Sequence, residues 1–355
     1  MSLKIILVED TASMERELQD KIKRKIEGRG EVLLFDLIHP GGGEIGTYEK
    51  RIEKDLQQPR YTNPAIIVAD QDLSLSKKYP GLSESAVKRV ADSLGIPECA
   101  YSRGDQAEDF LYHAEQREAR IVLSITGNDK FEEQIVSLAE GFEEIAGKLQ
   151  STGEPAEKKS PGKLLASILG KPEYADKISL YASGDQNRLA SYLRPGKPNR
   201  AEKQKSLTCL LGYWLWDSVL RYPGVLVNKV AASSYLNIKL DAFQATAIQD
   251  VFARARYQGP FANAKGPMWW RGMLDDLVSS NSLIDGRELA GQRLNTPIPR
   301  SECCEDATKP AGYYCMLSNR PVSLENSKSG LTWFPRGADL ARVSLSKYDE
   351  LGPWL

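Results

Sequence analysis

The sequence predicts an α/β fold: a five-stranded parallel sheet wound on both faces by helices, then a mainly α-helical second domain that ends in an irregular tail. Three observations predict this. Within the first 150 residues, short apolar runs alternate with helix-like segments five times. The runs LKIILV and AIIVA are continuous rather than alternating, as in strands buried on both faces. From residue 164 the period becomes helical, and after residue 297 Pro, Gly, Ser and Asn are frequent.

Taken in order, residues 3–8 form the first strand, which delivers Glu9 and Asp10 at its end. Met14, Leu18, Ile22 and Ile26 recur every four residues, the stripe of an amphipathic helix that Gly28 and Gly30 close. Residues 31–38 (EVLLFDLI) make the second strand. Gly41, Gly42 and Gly43 follow, but without the Gly-Lys-Ser/Thr ending of a phosphate-cradling loop they read as a flexible connection. A charged helix covers residues 48–56, and the third strand, 65–70, ends on Asp70. The helix over 83–94 opens on Ser83, a good N-cap, and stops at Gly95 and Pro97. A fourth strand (98–102), a helix (106–117), a fifth strand (120–125) and a long closing helix (131–149) complete the alternation.

The 355 residues allow two domains, each with its own core. No apolar run approaches the roughly 20 residues needed to span a bilayer, and residues 1–4 show no signal-peptide layout, so a cytoplasmic protein without a membrane partner is expected. Cys99, Cys209, Cys303, Cys304 and Cys315 are too scattered for a disulfide framework. With only His39 and His113, mechanisms that need a histidine base or a His-rich metal site lose support. The net charge of −1 hides an asymmetry: residues 1–150 hold 20 basic and 28 acidic side chains, and residues 151–355 hold 27 and 20. All six tryptophans lie from Trp214 onward. The boundaries that follow are 1–150 for the first domain, 151–163 for a polar linker, 164–296 for the helical domain and 297–355 for the Trp- and Tyr-containing tail.

In the second half, residues 206–221 (SLTCLLGYWLWDSVLR) are apolar nearly all round and are expected as its central helix. Residues 225–238, 240–257 and 268–279 read as further helices. The spacing in 227–238 loosely matches the first helix and turn of a helix-turn-helix, but residues 241–246 offer few cations for phosphates, and a plain helical hairpin is the preferred reading. Arg254, Arg256, Lys265, Trp269, Trp270 and Arg271 interleave basic and aromatic residues, which can bind an anionic ligand or simply pin loops to a core. Cys303, Cys304 and Cys315 lack the spacing and the fourth ligand of a zinc site and read as buried or free thiols. No Ser-His-Asp or Cys-His constellation is present, so an enzyme is not the leading expectation.

Strands that deliver acids to one sheet edge can hold a divalent cation there; solvated loop carboxylates are the plain alternative. On Glu9-Asp10, Asp70, Ser102 and the order of elements, residues 3–149 resemble the receiver domain of two-component response regulators, a flavodoxin-like fold of bacterial phosphorelay signalling. The resemblance implies Mg2+ held by Glu9, Asp10 and Asp70, with Asp70 the phosphoacceptor and Ser102 the hydroxyl that senses the phosphoryl group. It implies a histidine kinase or phosphotransfer protein as partner, and a protein-binding face around strands four and five. Asp72 is a second candidate acceptor. The family's lysine after strand five is missing from residues 124–129, and Lys130 is the nearest substitute. A degenerate receiver that works by docking is therefore one expectation beside phosphorylation. The chain as a whole is expected to be a response-regulator-like phosphoprotein in which the receiver controls an output domain of unknown type. The alternatives are a DNA-binding transcription regulator, or a ligand-binding or enzymatic second domain with a non-phosphorylated docking receiver.

Overall fold

A computed structural model of the chain describes residues 3–39, 48–103, 121–151, 160–181, 200–329 and 334–351. Backbone contacts divide it into two units, residues 1–164 with 184–217, and residues 165–183 with 218–355.

The first unit is built on β1 (Leu3–Val8), α1 (Ala12–Ile26), β2 (Gly30–Leu34), α2 (Tyr48–Leu56), β3 (Ile66–Asp70), α3 (Glu84–Leu94), β4 (Glu98–Ser102), β5 (Val122–Ser124) and α4 (Phe131–Ser151). The strands form one parallel sheet in the order β2-β1-β3-β4-β5, the flavodoxin-like order. Ile6, Val8, Ile67 and Ala69 share a core cluster with Ile52 and Leu56 of α2 and Val87 and Val90 of α3. Ile5, Leu7, Ile66 and Val68 alternate with them, are also fully buried, and lie on the face that α1 and α4 cover. The continuous apolar runs are thus explained: residues 5–8 of β1 and 66–69 of β3 are buried alternately on the two helix-covered faces. The helix expected over 106–117, the Gly41–Gly43 loop and most of the 151–163 linker lie outside the described residues.

The chain continues through α5 (Pro161–Ile168), α6 (Ala175–Ser179) and α7 (Arg200–Trp214), the last extended by a π-helical turn over Leu215–Val219. α7 was expected as the centre of the second domain, yet it belongs to the first unit, where it lies against α4 and α3. Gly212 lets it come close: a Cβ there would sit 2.2 Å from a ring carbon of Phe142 in α4. Tyr213 accepts a hydrogen bond from the Glu98 N–H at 2.7 Å and donates one to the Glu98 carbonyl at 3.2 Å, tying α7 to the start of β4. Gly95 ends α3 in the left-handed region, and a Cβ there would press on Lys205 of α7 at 2.9 Å, so glycine is required twice over.

In the second unit the expected long helices are shorter. Leu226–Asn228 is a strand, β6, and Asn228 then caps α8 (Lys229–Tyr235) by accepting the Ala231 N–H. α9 (Leu240–Phe243), α10 (Thr246–Val251) and α11 (Ala262–Lys265) follow. β7 (Met268–Trp270) pairs antiparallel with β6 and leads into α12 (Arg271–Ser279) and α13 (Gly286–Leu294). Both strands carry the large or β-branched side chains that favour extended backbone, over stretches too short to show a period. The tail holds β8 (Tyr313–Cys315), β9 (Arg320–Val322), β10 (Ser327–Lys328) and β11 (Ala341–Ser344) in the order β10-β11-β8-β9, then α14 (Leu345–Leu351). No helix among the described residues is long and apolar enough to cross a membrane.

Candidate functional site

In the order β2-β1-β3-β4-β5, the crossovers change direction between β1 and β3, and ligands of open α/β sheets bind outside the strand ends at such a point. Glu9 and Asp10 follow β1 directly, and Asp70 is the last residue of β3. Glu9 is 0% exposed, Asp70 4% and Asp10 8%, so these are not solvated loop carboxylates.

Each acid is held by the loop that bears it or by a neighbour. Glu9 Oε1 accepts the Thr11 N–H at 2.8 Å, at the start of α1. Asp10 Oδ2 accepts the Leu75 N–H at 2.7 Å. Asp70 Oδ1 accepts the Asp72 N–H at 3.1 Å, and Asp72 in turn accepts the Ser74 N–H at 3.1 Å, two successive side-chain turns that shape the loop after β3.

The centre of the rim is filled by a cation from the protein itself. Arg103, the first residue after β4, places Nη2 3.2 Å from both carboxylate oxygens of Glu9 and 3.1 Å from Asp70 Oδ2. Tyr101, two residues earlier and so on the same side of the extended chain, donates its hydroxyl to Glu9 Oε2. The Tyr101 ring stands edge-on to Phe131 of α4. The Thr126 hydroxyl, after β5, donates to the Arg103 carbonyl.

Electrostatics follow from this crowding. Burial, with Glu9 and Asp10 adding to it, raises the Asp70 carboxyl to about 6, against the Asp72 N–H and Arg103. Burial also raises Asp10, with Glu9 and Asp72 contributing. The Tyr101 hydroxyl is driven up by burial and then by Glu9, so it stays a hydrogen-bond donor. Burial alone would lower Arg103, but Glu9 and Asp70 outweigh it and fix the guanidinium as charged.

Of the residues expected at this rim, Glu9, Asp10 and Asp70 are brought together. Ser102, half-buried, ends β4 beside Ser124 of β5. Asp72 is exposed, and its carboxyl is held below the ordinary range by its bonds from Ser74. Lys130 is exposed, precedes α4 and makes no ion pair with Asp70. Sequence reasoning missed Tyr101 and Arg103; their Tyr-x-Arg spacing on a strand that ends at the acidic rim was the available signal.

The three acids have the hard oxygen donors that magnesium prefers. Their arrangement does not fit the ion: Arg103 bridges Glu9 and Asp70, Asp10 is committed to Leu75, and among the described residues no group of three or more His, Cys, Asp or Glu side chains could hold a metal.

In the second unit, Trp269 and Trp270 belong to the core rather than to an open aromatic platform. Trp269 is 0% exposed against Phe243, and Trp270 stacks on Tyr174 with ring centroids 5.2 Å apart. Arg271 pairs with Asp339 at 2.6 Å, while Arg254 and Arg256 are exposed. Cys303 and Cys315 are buried, and each sulfur accepts backbone N–H groups, from Ser323 and from Ser318 and Ser344. Burial would raise both thiols, but hydrogen bonds outweigh it and lower them, first from the Glu305 and Ser323 amides at Cys303 and from Ser318 and Ser344 at Cys315.

No protein-family model, curated protein or solved structure matches this chain.

Proposed function

We propose that this is a signalling protein of the response-regulator kind, whose first unit is a receiver-like docking module controlling the second unit. The observation that carries the reading is the buried acid pair Glu9 and Asp70 at the switch point of a flavodoxin-like sheet, closed by Arg103. Arg103 on Oδ2 and the Asp72 N–H on Oδ1 compete with an incoming phosphoryl group for the Asp70 carboxylate, which favours docking over phosphoryl acceptance. Input then arrives as a protein partner that favours one state of the rim and the surface around β4 and β5, a population shift without covalent chemistry. Hydrogen–deuterium exchange on the full chain tests the coupling. Asp70→Asn should change amide protection within residues 218–329 as well as around the rim; changes confined to the first unit would defeat the signalling reading.

A second reading is phosphorelay through Asp70 with magnesium and a histidine kinase or phosphotransfer partner, favoured by the placement of Asp70 and Ser102 at adjoining strand ends. Incubation with acetyl phosphate and magnesium followed by intact mass measurement separates the two. The docking reading expects no added phosphoryl group, and a gain abolished by Asp70→Asn would establish phosphorelay.

A further inference from the structure

We infer that Arg103 is the resident cation of the acidic rim, taking the place of a divalent metal ion and making the site independent of magnesium. The inference rests on reading the rim as a receiver-type acid cluster, but its content is a matter of cation binding alone.

Two buried carboxylates side by side cannot both stay ionised without a positive charge between them. The structure shows one that is covalently part of the chain. Arg103 Nη2 lies 3.1–3.2 Å from both oxygens of Glu9 and one of Asp70, within hydrogen-bond and ion-pair distance. The Tyr101 hydroxyl and the Thr11 N–H take further lone pairs of Glu9, the Asp72 N–H takes Asp70 Oδ1, and the Leu75 N–H takes Asp10 Oδ2. A divalent ion between Glu9 and Asp70 would have to take, at about 2.0–2.1 Å, the oxygens that Arg103 now holds.

The guanidinium is anchored from behind as well. Arg103 follows directly on β4, whose backbone is paired with β3 and β5 on its two sides, and the Thr126 hydroxyl holds its carbonyl. Its side chain is 48% exposed, so the cation enters the rim from the solvent side and closes it like a plug. Metal ion and guanidinium therefore compete for one position. If Arg103 is in place nine-tenths of the time or more, the rim's apparent affinity for a divalent ion is weakened about tenfold or more.

The test uses the full chain and Mn2+, whose free form is followed by electron paramagnetic resonance, with Mg2+ as competitor. Wild type should leave Mn2+ free at concentrations where Arg103→Gln binds one equivalent, displaceable by Mg2+ and at least about tenfold tighter than wild type. Arg103→Lys, which keeps a positive charge, should stay close to wild type. The double variant Glu9→Gln with Arg103→Gln should lose the gained site, which locates it. One Mn2+ bound by wild type as tightly as by Arg103→Gln would overturn the inference, as would an Arg103→Gln protein that folds and binds none. If Arg103→Gln does not fold, wild type decides: one bound Mn2+ displaced by Mg2+ overturns the inference, and none supports it. Metal binding by wild type would leave the signalling reading standing, and uncoupled exchange in the second unit would remove that reading without touching this one.

Discussion

Replacing Asp70 with asparagine isolates what an ionised carboxylate costs this fold. Asp70 is 4% exposed, and its carboxyl is raised from the ordinary 3.8 to about 6, first by burial and then by Glu9 and Asp10. An acid whose folded pKa lies above its unfolded one holds its proton more tightly in the folded protein. Stability therefore declines as pH rises from about 4 to about 6 and is level above that. At about 1.4 kcal/mol per pH unit across that interval, ionised Asp70 costs about 3 kcal/mol at neutral pH and above. The amide carries no charge and keeps an oxygen for the Asp72 N–H. Its nitrogen faces Arg103 Nη2, donor against donor, which makes about 3 kcal/mol a ceiling. The assay is urea unfolding of wild type and Asp70→Asn at a series of pH values, followed by circular dichroism. The variant should be more stable by about 1–3 kcal/mol near pH 8, and the gap should close toward pH 4. A variant less stable than wild type at pH 8, or a gap that does not move with pH, would refute the reasoning.

Other outcomes can be checked in the same way. Asp55 has the opposite sign: Lys78 and Tyr79 overcome burial and lower its carboxyl, so it stabilises the fold above the ordinary carboxylate range. Asp55→Asn should therefore be the less stable protein at pH 7, with its deficit shrinking as the solution is made acid; urea midpoints measure it. Tyr101→Phe strips a hydrogen bond from fully buried Glu9 and should cost about 1–3 kcal/mol, read as a lower melting temperature. Gly212→Ala drives a methyl into the Phe142 ring and should cost about 1–3 kcal/mol, with unfolding accelerated. Cys99, Cys209, Cys303 and Cys315 are buried and should resist a thiol reagent until denaturant is added; rapid labelling of Cys303 or Cys315 in native protein would contradict their packing.

The acidic strand ends were legible because β1 and β3 are buried on both faces, so their composition alone marks them, and the next residues must lie at the rim. The α1 stripe was legible for a similar reason: Leu18, Ile22 and Ile26 are all buried, and their spacing states the period. Arg103 was harder to read: the Tyr-x-Arg spacing at the end of β4 hinted at it, but only the register that sets Asp70 opposite Tyr101 shows which acids it meets. The unit to which α7 belongs was hidden for a different reason. A helix apolar all round announces burial but not its partner, and its partner, α4, lies far back in the sequence. Trp269 and Trp270 left two readings open, ligand or core, because an aromatic beside an arginine looks alike in either setting; their burial decides for the core. β6 and β7, three residues each, are shorter than any period that could distinguish strand from helix.

The placement of α7 has a consequence for how the molecule comes into being. A fragment ending at Gln150 would carry all five strands, yet it would leave the Phe142 ring without Tyr213 and the Glu98 backbone without its clasp. On the ribosome, domains generally form from the N-terminus as they emerge. Here the sides of α3 and α4 that α7 covers stay bare until residue 214 has left the tunnel. The first unit is thus completed only by a segment translated well after its sheet.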